Sequence, residues 1–305
     1  MRVLVVYYSQ TGQLTDIVNS ALTPLLNDPN IQLDFEELKP STPYPFPWTS
    51  QQFFDAFPES FQEIPCEMEP TAIPDDANYD LIIVAYQTWY LSISIPVSSF
   101  LQSEKARHIF KDTPIVTIVG CRNMWLSGQE KMKRRLHSLS AKLVGNIVFY
   151  DKAYNLVSVY TILRWMLYGK KGNSGVSQKD IDEAPKFGEI IRKSLSSGNL
   201  ESMHPELLQS GAIKVVDNLT SLEKTANKLF SFWAKFVRNK GGPGDPNRNT
   251  RLKLFAFYLL NGIVLLSPLT TLIFYISSIF RLGKIKADIN YLENVVYEEN
   301  RFIYN

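Results

Sequence analysis

The beginning of the chain constrains the fold more than any other part, because it has the pattern of a strand, a short polar loop and a helix. Residues 2–8 form a short apolar run, typical of a strand that is buried on both faces of a parallel sheet. After Gly12, apolar residues recur at helical spacing until the sequence Asn-Asp-Pro-Asn at residues 27–30 ends the helix. This alternation continues, and it predicts an α/β fold with a doubly wound, parallel, five-stranded sheet whose ligand site lies beyond the carboxyl ends of the strands. Further strands are predicted at residues 31–35, 80–86, 114–120 and 143–150, and further helices at residues 96–101, 129–143 and 177–195.

Composition and charge exclude several classes of protein. The formal charge of +2 is too mild to indicate a nucleic-acid partner, and the basic run at residues 131–135 is predicted to be the solvated face of a helix. Two cysteines in 305 residues exclude a disulfide framework, and with three histidines they do not form a metal-binding pattern. The N-terminal apolar run ends at Ser9, so no signal peptide is predicted and a reducing compartment is expected.

One connection is far longer than an ordinary loop between a strand and a helix. Residues 39–78 contain many prolines and aromatic residues, including the sequence Tyr44-Pro-Phe-Pro-Trp48. A loop of this length is usually functional. Two interpretations of this insertion stay open: a lid that faces a substrate, or a surface insertion that buries its own aromatic side chains.

The last third of the chain differs in character, and the sequence predicts a boundary at residue 200. Residues 1–200 are assigned to the α/β domain, and residues 201–305 to a helical extension that associates with a membrane. Residues 214–240 are predicted to form a basic amphipathic helix on a membrane surface. Residues 254–280 carry no charged residue. As one helix this segment would be roughly 40 Å long, more than the ~30 Å hydrocarbon core of a bilayer.

Basic residues flank both ends of this hydrophobic segment, and Pro268 lies near its middle. A helical hairpin with Pro268 at its tip would leave both flanks and the α/β domain on the cytoplasmic side of the membrane. The predicted location is therefore the inner face of the cytoplasmic membrane. The alternative is a buried helix pair at the interface of a homodimer.

The loop after the first strand has the residue types of a phosphate site. Gly12 and small hydroxyl side chains let backbone N–H groups surround a phosphate at the positive end of the helix. The loop resembles the FMN phosphate loop of flavodoxins, which implies a flavodoxin-like fold and phosphate contacts from the hydroxyl residues and Gly12. Gln13 and Leu14 stand where flavodoxins typically carry Asn and Thr, and an ordinary helix start is the alternative interpretation. The residues predicted to bind FMN here are Ser9, Gln10, Thr11, Gly12, Gln13, Leu14 and Thr15.

Two further loops at the carboxyl ends of strands are expected to surround the flavin ring. Trp89 is predicted to stack on the ring while Gln87 and Thr88 hydrogen-bond its edge; the alternative is that Trp89 only covers the end of the sheet. Arg122 is predicted to stabilise negative charge on the reduced flavin or on a substrate oxygen, with a surface ion pair as the alternative. Cys121 is expected to be a packed residue and not a nucleophile. The predicted ring contacts are Gln87, Thr88, Trp89 and Tyr90 in one loop and Gly120, Cys121, Arg122, Asn123 and Trp125 in the other.

Several segments together resemble a family of bacterial proteins, the dialkylresorcinol condensing enzymes. The segments are residues 3–15, the sequence Phe46-Pro-Trp-Thr with Phe57-Pro-Glu, residues 120–125 and residues 155–171. The resemblance implies an enzyme that uses FMN to aromatise a 2,5-dialkylcyclohexane-1,3-dione to a dialkylresorcinol. It also implies a ketosynthase partner that makes this lipophilic substrate. In the implied reaction Arg122 is predicted to hold the enolate oxygen, and Tyr90 or Tyr86 to relay a proton.

Two other functions stay open. A membrane-associated electron carrier or quinone reductase would have much the same flavin loops, but an electron carrier is expected to have an acidic rim that this nearly neutral chain does not supply. The third function is that of a flavodoxin-like scaffold that has lost FMN and serves as a partner of the ketosynthase. Leu14 in the phosphate loop is the sole feature that favours the scaffold.

Overall fold

Successive residues of the central strands are buried, so helices must cover both faces of the sheet. Val3, Leu4, Val5 and Val6 are each at most 1% exposed, and residues 81–86 are fully buried. Side chains that follow one another in a strand point to opposite faces, which rules out a sheet covered on one side only. This computed structural model describes residues 1–278, 282–299 and 301, without the side chains of residues 217, 218, 264–278, 282 and 284.

Five parallel strands and one short antiparallel strand form a single sheet. The strands are β1 Arg2–Tyr7, β2 Gln32–Glu37, β3 Leu81–Trp89, β4 Ser92–Ile93, β5 Pro114–Cys121 and β6 Lys142–Tyr150. The parallel strands pair in the order β2-β1-β3-β5-β6, and β4 pairs with the end of β3. Counted without β4, this order is 2-1-3-4-5, the doubly wound flavodoxin-like arrangement. The predicted α/β fold with five parallel strands is therefore confirmed.

The sequence does not indicate β4, because the turn before it lacks a glycine. Tyr90 and Leu91 join β3 to β4 as a two-residue turn, and both have positive φ, of 47° and 61°. Turns with two left-handed residues usually contain Asn or Gly. The turn folds the chain back at the carboxyl end of β3, where the first predicted ring loop lies.

The helices alternate with the strands and then continue alone to the C-terminal part of the chain. The helix predicted over residues 129–143 is observed at Leu126–Ser138, so both predicted ends are wrong. The helix stops early because Ser140 is left-handed, with a φ of 55°, and residues from Lys142 onward pair with β5. The helices are α1 Gln13–Ala21, α2 Thr23–Leu26, α3 Ser50–Asp55, α4 Phe57–Phe61, α5 Ile95–Phe100, α6 Glu104–Phe110, α7 Leu126–Ser138, α8 Asn155–Tyr168, α9 Gln178–Asp182, α10 Pro185–Ser197, α11 Met203–Gln209, α12 Asp217–Arg238, α13 Asn249–Ser278 and α14 Leu282–Glu293.

The basic run at residues 131–135 is not a solvated helix face, and that prediction is wrong. Lys131 and Lys133 are only 5% and 2% exposed, because other parts of the chain, α12 among them, pack on α7. The Nζ of Lys133 lies 2.8 Å from Oε1 of Glu130. Lys131 donates to the carbonyl of Phe61, and burial lowers the pKa of its ammonium to about 8. The run therefore attaches α7 to the insertion.

An aromatic cluster joins the insertion to the C-terminal helices. Phe57 of α4 stacks on Phe255 of α13, with ring centroids 3.7 Å apart and planes 9° apart. Phe230 of α12 meets the same Phe57 ring edge-on at 5.2 Å. The insertion therefore buries aromatic side chains against helices from the far end of the chain and not only against itself. The buried phenylalanines of the cluster are Phe54, Phe57, Phe61, Phe230 and Phe255.

A buried arginine stabilises the same junction. Arg248 lies in a 3₁₀ turn just before α13 and is 0% exposed. Its Nη1 and Nη2 lie 3.0 and 2.8 Å from the two carboxylate oxygens of Glu59, and its Nε lies 2.9 Å from Oδ1 of Asp55. Asp55 ends α3 and Glu59 lies in α4, so both partners belong to the insertion. A bidentate ion pair thus holds the start of α13 on the insertion.

Parts of the predicted extension pack against the α/β domain. Met203 and Leu207 of α11 are fully buried beside Gly145 of β6. Phe230 and Ala234 of α12 are buried in the same cluster as the insertion phenylalanines, so this side of α12 is covered by the protein itself. The division at residue 200 stays a prediction.

The hydrophobic segment at residues 254–280 falls largely in α13. This helix continues through Pro268, so the predicted hairpin with its tip at Pro268 is wrong. Residues 279 and 280, and the side chains of residues 264–278, lie outside the described residues. Within the described part of the chain, no helix combines the length and the apolar character that a bilayer crossing requires. Contact of the segment with a membrane surface, or with a second copy of the chain, stays a prediction.

We expect Arg248→Met to lower the free energy of unfolding by about 3 kcal/mol, because the buried carboxylate of Glu59 would lose its bidentate partner and keep only Arg238, 3.4 Å away. Arg107→Met is the matched control, since Arg107 is 66% exposed beside Glu104 and exposed ion pairs contribute at most about 1 kcal/mol. Urea unfolding followed by tryptophan fluorescence measures both variants. Equal unfolding midpoints for the two variants would contradict a stabilising role for the buried pair.

Candidate functional site

A cavity of about 240 Å³, here called the cleft, lies at the carboxyl ends of β1, β3 and β5. In a doubly wound sheet the connections on the two sides of the switch point run to opposite faces and leave a crevice, which is where ligands bind. The pairs β1–β2 and β3–β5 lie on the two sides of this point. The predicted site residues that line the cleft are Gln10, Thr11, Gln13, Leu14, Gln87, Thr88, Trp89, Tyr90, Gly120, Cys121 and Arg122.

The loop after β1 presents unpartnered backbone N–H groups. Gly12 caps α1 in the left-handed conformation, with a φ of 82° and no side-chain cap. Among the described residues, the amides of Thr11, Gly12 and Leu14 have no hydrogen-bond acceptor. Such donors at the positive end of a helix form an anion site. The first N–H groups of any helix also lack intrahelical partners, so the phosphate loop and an ordinary helix start both fit this geometry, and the phosphate site stays a prediction.

The hydroxyl groups of this loop bond within the loop itself. The amide of Thr15 donates to Oγ of Ser9 at 3.3 Å, and the amide of Gln13 reaches Oγ1 of Thr11 at 3.5 Å. Ser9, Gly12 and Thr15 shape the loop but do not line the cleft. Their predicted phosphate contacts stay predictions.

Gln13 and Leu14, which depart from the flavodoxin pattern, make contacts that hold the loop in place. The side chain of Gln13 donates to the carbonyl of Val176 at 2.9 Å and accepts from its amide at 3.0 Å. A Cβ at Gly175 would lie 2.5 Å from Oε1 of Gln13, so only glycine fits there. Leu14 packs where Gly120 ends β5, and a Cβ at Gly120 would lie 3.1 Å from its Cδ1. These two side chains therefore seat α1 against the sheet and the segment before α9.

Hydrogen bonds from Gln10 join the phosphate loop to both neighbouring loops. Its amide donates to Oε1 of Gln87 at 3.1 Å, and its side chain donates to the carbonyl of Pro45 at 2.7 Å. Gln87 is thus engaged within the protein, whereas Oγ1 of Thr88 is buried without a partner among the described residues. The hydroxyl of Thr88 is therefore free to bond a ligand, whereas the side-chain oxygen of Gln87 already accepts a bond from the protein. The predicted ring-edge contacts of both residues stay predictions.

Aromatic side chains from the insertion complete the wall around Trp89. The ring of Trp89 packs edge-on against Tyr8, Tyr44 and Trp48, with centroid distances of 5.9, 5.2 and 5.7 Å. Trp48 and Phe53 of the insertion line the cleft beside it. The insertion thus lines the cleft with Trp48 and Phe53 and also buries Phe54, Phe57 and Phe61 in the aromatic cluster. Its role as a lid that faces a substrate stays a prediction.

Arg122 lies at the edge of the cleft on a polar support. Its Nη1 donates to Oδ1 of Asn155 at 2.7 Å, and the side-chain amide of Asn123 donates to the same oxygen at 2.9 Å. Within the described chain Arg122 makes no ion pair, which argues against the surface-pair interpretation. Burial lowers the pKa of its guanidinium to about 10, so it stays charged at neutral pH. Arg122 is half-buried, and the negative charges of Asp151 and Glu223 also act on it, but it forms no ion pair among the described residues and can bind an anionic oxygen.

Several predicted site residues lie away from the cleft or are occupied elsewhere. Tyr86 is 0% exposed and donates to Oε1 of Gln129 at 2.7 Å, so it does not reach the cleft to relay a proton. Trp125 is buried in the hydrophobic core at the start of α7, and no ring contact follows from its position. Tyr90 lines the cleft, but its hydroxyl donates to the carbonyl of Phe53 at 2.6 Å. Burial raises the pKa of the Cys121 thiol, which agrees with a packed residue and not a nucleophile.

Helix α8 forms a wall of the cleft that sequence reasoning did not find. Ile162, Trp165 and Met166 line the cavity from this helix. The amide of Trp48 donates to the carbonyl of Met166 at 2.8 Å, so two of the segments that carry the family resemblance touch one another. Apolar side chains occur on most sides of the helix at residues 155–168. Without a polar face the sequence shows no helical period, so the pattern that would predict α8 is missing.

A buried carboxyl group lies behind the cleft at the start of α7. Glu223 of α12 is 0% exposed, and its Oε1 accepts from the amide of Ser127 at 2.6 Å. A carboxylate at this position caps the positive end of α7. Burial nevertheless dominates and raises the pKa of Glu223 to about 7, with the bonds to Ser127 acting in the opposite direction.

Comparison with known proteins finds solved structures of low similarity. A flavoprotein from Lactobacillus acidophilus NCFM, solved in complex with FMN, is 15% identical, covers 48% of this chain and 92% of its own, and has a TM-score of 0.39. A flavodoxin from the domain Archaea is 12% identical over 64% of this chain and 99% of its own, with a TM-score of 0.34. A flavone reductase is 12% identical over 64% of this chain and 63% of its own, with a TM-score of 0.37. No protein-family model and no curated protein matches the chain.

We expect Glu223 to make the free energy of unfolding fall as the pH rises from about 5 to about 7. The folded chain holds the proton of Glu223 more tightly than the unfolded chain, so deprotonation opposes folding in this window, by about 1.4 kcal/mol for each unit of pKa difference. Urea unfolding across this pH range, compared with Glu223→Gln, isolates the contribution. The exposed Glu201→Gln is the control and should keep the wild-type slope. If wild type and Glu223→Gln differ by a constant amount at every pH, Glu223 does not titrate in the window.

Proposed function

We propose that the chain binds FMN in the cleft and acts as an oxidoreductase. The observation that carries the proposal is the set of three unpartnered amides around left-handed Gly12, at the start of α1 and beside the switch point of the sheet. In flavodoxin-like sheets FMN binds at this point, with its phosphate at a helix N-terminus. When bound, the flavin supplies an acceptor for a hydride, which is two electrons and one proton.

Residues in the cleft and in the adjoining loop after β1 fit such a group at both ends. The amides of Thr11, Gly12 and Leu14 would hold the phosphate without any lysine or arginine, since backbone dipoles supply the positive potential. At the other end the orphaned hydroxyl of Thr88 would bond a polar edge of the ring, and Trp89 would form an apolar wall. This fit therefore uses residues of the phosphate loop and of the first predicted ring loop.

The reaction that we propose is the aromatisation of a 2,5-dialkylcyclohexane-1,3-dione to a dialkylresorcinol. The conversion removes two hydrogens from the ring, as one hydride and one proton, and tautomerisation then completes the aromatic ring. The carbon between the two carbonyl groups is acidic, so a strong protein base is not needed to form the enolate. The guanidinium of Arg122 would hold the enolate oxygen. Trp48 and Phe53 of the insertion would shield the reacting ring from water.

An enclosed organic substrate is favoured over a role as an electron carrier. Trp48 and Phe53 of the insertion and Ile162, Trp165 and Met166 of α8 line the cleft, and such apolar walls suit an organic substrate. A ketosynthase that supplies the dione remains part of the proposal, as the family resemblance implies. Quinone reduction and a flavin-free scaffold are outcomes that the first experiment separates.

The purified protein is expected to show flavin absorbance between about 300 and 550 nm, and the absorbance should bleach when a dialkylcyclohexanedione is added without oxygen. Bleaching by the dione, with resorcinol as product, would support the aromatase. A flavin that is bleached by reductants and reoxidised by a quinone, but not bleached by the dione, would favour the quinone reductase. A colourless protein that does not take up FMN would leave the scaffold.

Arg122→Ala is expected to lower kcat by about 10²-fold, as the loss of one oxyanion donor does, with the FMN content unchanged. Arg164→Ala is the matched control, because Arg164 lies exposed on α8 near the same site. Turnover and bound FMN are measured on the same samples. An unchanged kcat in Arg122→Ala would remove Arg122 from the reaction, and loss of FMN would show that it holds the cofactor and not the substrate.

A further inference from the structure

A second cavity of about 240 Å³ adjoins the cleft. It lies among α3, α8, α12 and α13, and it exists because α12 and α13 pack on the insertion and on one another. The two cavities share Phe53, Thr88, Tyr90, Arg122 and Ile162, which stand at their junction. A ligand in the cleft therefore lies directly beside the second cavity.

The polarity of the second cavity changes from one end to the other. Arg122 is the one charged side chain on its wall among the described residues, and it stands with Asn155 at the junction. Away from the junction the wall is formed mainly by aliphatic and aromatic side chains, such as Val159 of α8, Leu229 of α12 and Leu259 of α13. This arrangement matches a molecule with a polar head and an apolar tail.

The size and the apolar lining of the cavity indicate what occupies it. The cavity is partly open to solvent, so apolar side chains on its wall contact water when no ligand is bound. An apolar ligand that fills the cavity removes this surface from water, which is favourable. An FMN site alone gives no reason for such a cavity, because the cleft already offers a phosphate loop and a ring wall.

We infer that the second cavity is the binding site for an alkyl chain of the substrate, with the polar ring held at Arg122 in the cleft. The inference rests on the proposed function for the identity of the substrate, but the presence of an alkyl-chain site can be tested without turnover. It assigns a substrate contact to α12 and α13, helices that lie outside the predicted FMN-binding domain. The insertion contributes Phe53 and Phe54 to the same wall.

Binding of cis-parinaric acid, a fluorescent fatty acid, tests the site directly. The wild-type protein is expected to bind the probe, and saturated fatty acids should displace it. The affinity of the fatty acid should rise about fourfold for each added methylene until the cavity is full. Val159→Trp should weaken binding at least tenfold because the indole would fill the cavity. Val157→Trp is the matched control on α8, since Val157 is 54% exposed and lines neither cavity.

A second pair of variants, on α13, keeps the test valid if Val159→Trp does not fold. Leu259→Trp places an indole on the cavity wall, whereas Leu254→Trp changes a leucine that is 50% exposed and does not line the cavity. Circular dichroism and FMN content identify folded variants. Equal probe affinity in a folded filled variant and its control, or no length dependence in the wild type, would overturn the alkyl-chain site.

Two further measurements separate this inference from the proposed function. If a long-chain dione displaces the probe and Val159→Trp raises its KM at least tenfold while leaving the KM of the dimethyl analogue unchanged, the site holds the substrate chain. If the probe binds in the cavity but the dione does not displace it, the chain belongs to a membrane lipid and the assignment to substrate is wrong. Failure of the proposed aromatisation is distinct, because neither dione would bleach the flavin although the probe still binds.

Discussion

Parallel pairing of β1 with β3 is the constraint on which the rest of the structure depends. Both strands end at the same edge of the sheet, and β2 and β5 continue the sheet on opposite sides of the pair. The right-handed connections from β1 to β2 and from β3 to β5 must then pass over opposite faces of the sheet, which leaves a crevice between them. The phosphate loop and the first ring loop face one another for this reason, as the bond from the amide of Gln10 to Gln87 shows.

The insertion and the C-terminal helices add a second layer of structure to this sheet. Phe57 of α4 is stacked on Phe255 of α13, and the guanidinium of Arg248 is held by Glu59 beside it. A buried ion pair contributes little net stability compared with apolar residues of the same size, but it tolerates only one arrangement of its partners. The stacked rings supply the burial, while the ion pair specifies where α13 begins. Both cavities acquire walls from this layer, since Phe53 lines each of them.

Charged groups in the interior show how far local patterns can mislead. Lys131 and Lys133 lie in a run of four basic residues that resembles a solvated face, yet both are buried because α12 and the insertion cover α7. Glu223 comes from α12 to cap the same helix and is buried without a counter-charge in contact. Their partners are as far as 96 positions away in the chain, as the bond between Ser127 and Glu223 shows. The local spacing of apolar and polar residues contains no information about partners so far apart in the chain.

The sequence by itself determined that five parallel strands alternate with helices and that a loop with Gly12 follows the first strand, because each of these features depends on near neighbours in the chain: a buried strand, a turn residue, a helix start. It could not decide that Gln13 would bond to Val176, 163 positions later, or that Tyr86 would face Gln129 in the core. It likewise did not reveal α8 as a cleft wall or the second cavity. Those features depend on which distant surfaces meet when the chain folds, and only the packing of the insertion, α8, α12 and α13 against one another settles that.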